Sequence, residues 1–138
     1  MNRHLLISWA TIMIIVLVTG SCRRAKGIPM SNDDVAIQFE EVTYDFGDVD
    51  RQDSVLHHTY VFKNTGRKPL LIQGVETNCG CTTVTFPHQP IPSGETGEIN
   101  VMVHASELVP GQFDKEVRIY TNTQEGLNKL RIRGNIQP

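Results

Sequence analysis

From Val35 onward, apolar and polar residues alternate over short runs, which is the two-residue period of half-buried strands. Leu56, His58, Tyr60 and Phe62 share one face of the clearest run, and Ile99, Val101 and Val103 share a face of another. Phe113, Val117 and Ile119 form a third set, interrupted by Lys115, and Leu130, Ile132 and Ile136 a fourth. Turn signals separate the runs: Gly47-Asp48, Asn64-Thr65-Gly66, Pro92-Ser93-Gly94, Pro110-Gly111 and the stretch from Asn122 to Gly126. Pro110-Gly111 suits a type II turn, because proline presets φ at the second position and glycine accepts positive φ at the third. The pattern predicts strands over 36–42, 54–63, 69–76, 82–86, 97–104, 113–120 and 128–136. No amphipathic helical stripe competes with them. About seven short strands in a chain of this size imply an all-β, two-sheet antiparallel sandwich, since one open sheet would leave a face uncovered.

The N-terminus follows different rules. Between Leu5 and Val18 only Ser8 and Thr11 are not hydrophobic, and Arg3 and His4 precede the run. It falls short of the roughly 20 residues a membrane-spanning helix needs. Length and flanks instead match the apolar region of a secretory signal. The run ends in Thr19-Gly20-Ser21-Cys22, which resembles the lipobox of bacterial lipoproteins, with Thr19 where leucine is usual. Residues 1–21 are therefore expected to be a signal peptide of the lipoprotein type, and Cys22 the lipidated N-terminus of the mature chain. Ordinary secretion and an uncleaved anchor are the alternatives. Residues 22–34 carry Arg23, Arg24, Lys26, Pro29 and Ser31 through Asp34 with few apolar side chains, so they are expected to form a flexible tether. The sandwich domain then spans residues 35–138.

Composition narrows the classes. A net charge of −2 and only 7% aromatic residues give no basic field to attract nucleic acid. The only tryptophan, Trp9, lies in the signal, so the tryptophan and inter-sheet disulfide of antibody domains are not part of this core.

The order of motifs is more specific than any one of them. Tyr44-Asp45-Phe46-Gly47 is followed by Tyr60-Val61-Phe62-Lys63-Asn64-Thr65-Gly66 and Pro69-Leu70-Leu71-Ile72. Next come Cys79-Gly80-Cys81-Thr82, Ile91-Pro92-Ser93-Gly94-Glu95 and Gly111-Gln112-Phe113-Asp114-Lys115. This order resembles the bacterial family known as domain of unknown function 1573. The resemblance covers residues 38–123 and implies an immunoglobulin-like sandwich, akin to modules of the major sperm protein and Hydin-type group, in an exported or lipid-anchored protein of the cell envelope. It implies no activity.

Chemistry concentrates in the cysteines. With Cys22 lipidated, Cys79 and Cys81 remain as a pair separated by one glycine. A disulfide between them closes a very small ring, contributes roughly 1.5 kcal/mol by loop entropy, and is more easily reduced than an ordinary structural bridge. Two thiolates could equally hold copper or zinc, with His57, His58, His88, Met102 or His104 completing the shell. A third reading is a buried structural pair. Val84 and Phe86 share an apolar parity, which places Cys81 with Thr83 and Thr85 and its thiol outward.

Catalytic constellations are weak. Asp53, Ser54 and His57 have the residue types of a hydrolase triad, but near neighbours along one strand alternate faces and cannot converge. Arg118, Arg131 and Arg133 form an outward basic stripe that lacks the aromatic interleaving of a nucleic-acid site. The sequence thus points to a non-enzymatic envelope protein without a cofactor, anchored by lipid and working through a protein partner. A thiol–disulfide or soft-metal protein is the alternative.

Overall fold

The computed structural model describes residues 33–52 and 55–138, so the signal segment, Cys22, most of the tether, Asp53 and Ser54 lie outside the described residues. Among the described residues, eight strands form two four-stranded sheets packed face to face. They are β1 (Ile37–Phe39), β2 (Thr43–Val49), β3 (Leu56–Asn64), β4 (Ile72–Thr77), β5 (Thr82–Thr85), β6 (Thr96–Val103), β7 (Gly111–Thr121) and β8 (Leu127–Ile136). The first sheet runs β1-β3-β6-β5 and the second β2-β8-β7-β4. A short 3₁₀ turn, Ala105–Glu107, follows β6.

The first expected strand, 36–42, holds only β1, and β2 over Thr43–Val49 is a further strand that the alternation does not predict. β1 pairs antiparallel with β3, and the Glu40 N–H still donates to Val61 at 3.1 Å. By Val42 the chain has crossed, and its carbonyl accepts from the Arg131 N–H at 2.8 Å. Glu40, Glu41 and Val42 are exposed at this crossing, so the rim of the sandwich tolerates two carboxylates that no core-facing strand would. β2 then runs parallel to β8, the one exception to the expected antiparallel pairing. Gly47-Asp48 is accordingly no turn. It lies inside β2, where the register with β8 shifts between Asp45 and Asp48 and Gly47 takes φ +67°, the left-handed conformation a bulge requires.

The inward faces are the ones the alternation picks out. Tyr60, Phe62, Ile99, Val101 and Val103 from the first sheet meet Val117, Ile119, Leu130, Ile132 and Ile136 from the second, all essentially inaccessible to water. Burial of each such side chain contributes about 1.5–3 kcal/mol. Phe62 lies flat over Gly97 on β6, where any Cβ would collide with its ring.

Asn64-Thr65-Gly66 and Pro92-Ser93-Gly94 close one end of the sandwich together. Asn64 is fully buried, and its Nδ2 donates to the carbonyls of Lys68 and Ile91, each at 2.9 Å. Its Oδ1 accepts from the Gly66 N–H at 3.0 Å. Ser93 Oγ donates to the Gly66 carbonyl at 2.6 Å. The β1 approach passes so close to Gly66 that a Cβ there would stand 2.5 Å from the Ala36 nitrogen and 2.8 Å from Val35 Cα. Two of the sequence motifs are therefore one polar clamp.

Candidate functional site

Cys79 and Cys81 occupy the connection from β4 to β5 and are joined by a disulfide, with Cα atoms 5.2 Å apart. Hydrogen bonds fold the connection tightly. Thr77 Oγ1 donates to the Cys79 carbonyl at 3.0 Å, and the Thr82 N–H donates to the same oxygen at 3.2 Å. The Cys81 N–H points at Cys79 Sγ, 3.2 Å away, and the His104 N–H donates to the Cys81 carbonyl at 2.9 Å. Cys81 is only 3% exposed and belongs to the core, contrary to the outward thiol expected from strand parity. The cause is local: Cys81 still lies in the turn, and alternation begins only at Thr82.

This asymmetry limits the chemistry. Cys79 is half-buried and is the sulfur an incoming thiolate can reach. Attack there would expel Cys81 Sγ, which is buried and lies 3.7 Å from the Thr82 hydroxyl.

The histidines divide into engaged and free. His58 faces the core side of β3 and stacks on Tyr44 of β2, with ring centroids 3.6 Å apart and planes within 10°. Phe46 and Tyr60 meet it edge-on. Its Nε2 lies 2.8 Å from Glu41 Oε1, the distance of an ion pair, although without the alignment of a hydrogen bond. Sequence reading missed this cluster, because Glu41 and Tyr44 reach His58 only through the strand crossing. His88 leans on Phe86 with centroids 4.7 Å apart. His57 and His104 point away from the core, as alternation predicts, and neither joins the cysteine pair. Among the described residues, no three His, Cys, Asp or Glu side chains gather into a metal site. Cys22, Asp53 and Ser54 lie outside the described residues.

On the outer face of the second sheet the arginines are neutralised. Glu116 bonds Arg118 at 2.9 Å and lies 3.4 Å from Lys129, while Asp114 stands between Arg131 at 3.6 Å and Arg133 at 4.0 Å. The Arg118 hydrogen bond holds the Glu116 carboxyl below its usual range, and Glu116 in turn raises Arg118. Tyr120 donates to Glu76 at 2.8 Å, and that bond pushes its phenol upward. Exposed pairs of this kind add little stability, but they cancel the basic stripe. A depression of about 690 Å³ lies on this face among Asp45, Asp48, Gln112, Asp114 and Arg133. It is open and mostly polar, unlike the apolar enclosures that hold small molecules.

The strand edges differ in how well they are protected. β1 and β5 are very short, and β2 carries its bulge with Asp45 and Asp48. Among the described residues β4 pairs only with β7; beyond its own register shift between Ile72 and Gly74, the other side of Ile72–Thr77 has no strand beside it and no proline or lysine to blunt it.

The sequence model of the family described as "Protein of unknown function (DUF1573)" matches residues 37–136. No curated protein matches the chain by sequence. Among solved structures, a Porphyromonas gingivalis W83 protein of unknown function superposes with TM-score 0.60 and 15% identity over 80% of this chain and 50% of its own. The Vibrio cholerae protease VesB superposes with TM-score 0.56 and 12% identity over 76% of this chain and 32% of its own. PapD-like domain 7 of human CEP192 superposes with TM-score 0.58 and 7% identity over 80% of this chain and 92% of its own. The chain thus spans half the length of the first protein and a third of the second. At these identities the likeness establishes the fold, a PapD-like and immunoglobulin-like sandwich.

Proposed function

The chain belongs to the family of proteins of unknown function DUF1573, and from that premise we propose that it is a lipid-anchored, non-enzymatic interaction module of the cell envelope. Its sandwich takes a partner as an added strand along β4. The open edge of Ile72–Thr77 carries this reading. Unpaired N–H and C=O groups on such an edge give affinity to any extended segment laid beside them, and alternate side chains supply specificity. The compensated charges on the second sheet suit solvent rather than a partner. A fold found both within the protease VesB and as a domain of CEP192 is a scaffold with no chemistry of its own. The apolar run before Cys22 supports the anchor.

A photo-crosslinking amino acid placed at Gln73, on the open edge, should capture a discrete envelope protein in intact cells. The same probe at Lys129, on the charged face, should not. Equal or absent capture at both positions would remove the edge-strand reading. Intact mass of the purified protein tests the anchor separately: a diacylated or triacylated chain beginning at Cys22 supports it, and an unmodified N-terminus defeats it.

A further inference from the structure

We propose that the outer face of the first sheet binds one monovalent copper ion through His57, Met102 and His104. The register between β3 and β6 sets His57 directly opposite Met102. Direct partners on an antiparallel pair share a face, with Cβ atoms about 4.5–5.5 Å apart. Their neighbours in the ladder, Leu56 opposite Val103, point into the core, so His57 and Met102 point out. His104 follows Met102 by two positions in extended conformation, with φ −80° and ψ 97°, and returns to the same face. Val103 and Ala105 on either side of it are buried, which fixes that parity. His104 is then the diagonal neighbour of His57, about 7–8 Å away between backbones and within reach of an imidazole.

The three side chains are available. Among the described residues none of them enters a hydrogen bond, ion pair or ring contact, and His104 makes no side-chain cap to the 3₁₀ turn. His58 and His88, by contrast, are engaged with aromatic rings. The backbone bond from His104 to Cys81 steadies the far corner at 2.9 Å.

Donor chemistry selects the ion. A thioether beside two imidazoles is a soft, neutral set that suits Cu(I): Zn²⁺ shares the imidazoles but takes thiolate or carboxylate rather than thioether, and Mg²⁺ finds no oxygen ligand. The surrounding ladder is equally neutral: Thr83 flanks Met102, and Thr59, Asn100 and Thr85 form the next row, with Thr59 Oγ1 bonded to Asn100 Oδ1 at 2.7 Å. The cysteine sulfurs are spent on each other and cannot compete while the disulfide is intact. The site binds the ion and needs no electron transfer, and it stands independently of the β4 edge.

The test is an anaerobic titration of the whole exported protein with Cu(I) in ascorbate, against a chromophoric Cu(I) chelator. A thiol assay at the end verifies that the pair stays oxidised. One ion per chain is expected, with X-ray absorption at the copper edge reporting mixed nitrogen and sulfur ligation. Losing an outer-shell partner already costs about 10–100-fold in metal affinity, so H57Q, M102L and H104Q should each weaken binding by at least about tenfold. H88Q should leave it unchanged. M102L keeps the strand packed and so separates ligation from folding. Failure to compete with the chelator, parental affinity in any of the three variants, or binding that appears only after the disulfide is reduced would overturn the site.

Discussion

The Tyr60 hydroxyl donates a 2.6 Å hydrogen bond to the carbonyl of Arg131, tying β3 in one sheet to β8 in the other across a separation of 71 residues. The ring fills the core and the hydroxyl satisfies a backbone oxygen that the second sheet turns toward it. Tyr60→Phe keeps the ring and removes that donor. We expect a loss of about 1–2 kcal/mol, read as a lower urea midpoint with unchanged slope. A variant as stable as the parent would mean that water replaces the bond.

The same tyrosine gives the fold an alkaline limit. Burial, and secondarily the Glu41 carboxylate, push the Tyr60 phenol well above its ordinary value. An unfolded tyrosine ionises near about pH 10, so above that point the unfolded chain releases a proton that the folded chain retains. The contribution is therefore complete below about pH 10 and declines as pH rises toward the folded value. Urea midpoints should fall more steeply above that pH in the parent than in Tyr60→Phe. Parallel curves for the two proteins would rule Tyr60 out as the cause.

Asn64 should be the least replaceable polar residue of the core. Both Nδ2 hydrogens and Oδ1 are used, and the groups they serve lie in two different loops. Asn64→Asp has nearly the same shape but cannot donate to the carbonyls of Lys68 and Ile91, and it brings a charge into a fully buried position. The expected cost is about 3–5 kcal/mol at neutral pH. Part of that loss should return below about pH 4, where an ordinary carboxyl is neutral. Calorimetric melting at both pH values checks this, and a variant within 1 kcal/mol of the parent (about 4–8 °C in melting temperature) would contradict the clamp.

What could be read from the sequence was whatever obeyed strand alternation. Leu56, Tyr60, Phe62, Ile99 and Val101 lie inward as their period requires, and His57 and His104 lie outward. Alternation says nothing about where a strand changes partners. The continuous run from Ala36 to Val42 therefore hid the crossing at Glu40–Val42, and Gly47-Asp48 looked like a turn although it is a bulge in β2. Cys81 failed for a related reason, because parity was carried back from Val84 into a turn. The Asn64 and Ser93 motifs were visible, but their union across the chain end was not. The arginine stripe was correctly placed on one face; the acids that cancel it, Asp114 and Glu116, both lie on β7 and reach Arg131 and Lys129 across the ladder to β8, a pairing that depends on register.

Gly66 should tolerate no side chain, and Gly74 should. A Cβ on Gly66 meets backbone atoms of Val35 and Ala36, which cannot rotate away as a flexible side chain would, whereas a Cβ on Gly74 meets nothing within 4 Å. Gly66→Ala must push β1 off its approach to β3, at about 1–3 kcal/mol by analogy with overpacked cores. Hydrogen exchange should then show faster opening of Ile37–Phe39, with little change in β7 and β8. Equal effects from Gly66→Ala and Gly74→Ala would show that the β1 approach yields freely.

The cysteine pair should be worth little to stability and should react unequally. Its ring spans so few residues that the chain entropy it removes from the unfolded state amounts to about 1.5 kcal/mol, against several for a bridge closing a long loop. Cys79→Ala with Cys81→Ala should therefore melt only slightly below the oxidised parent, as alanine fills most of the buried place Cys81 leaves. After mild reduction, alkylation followed by mass spectrometry should label Cys79 before Cys81, because Cys79 is half-buried and Cys81 is 3% exposed. Simultaneous labelling would require the β4–β5 connection to open as a unit on reduction, exposing the core beneath it. That outcome would turn the pair from a passive brace into a switch for the end of the sandwich where His104 is held.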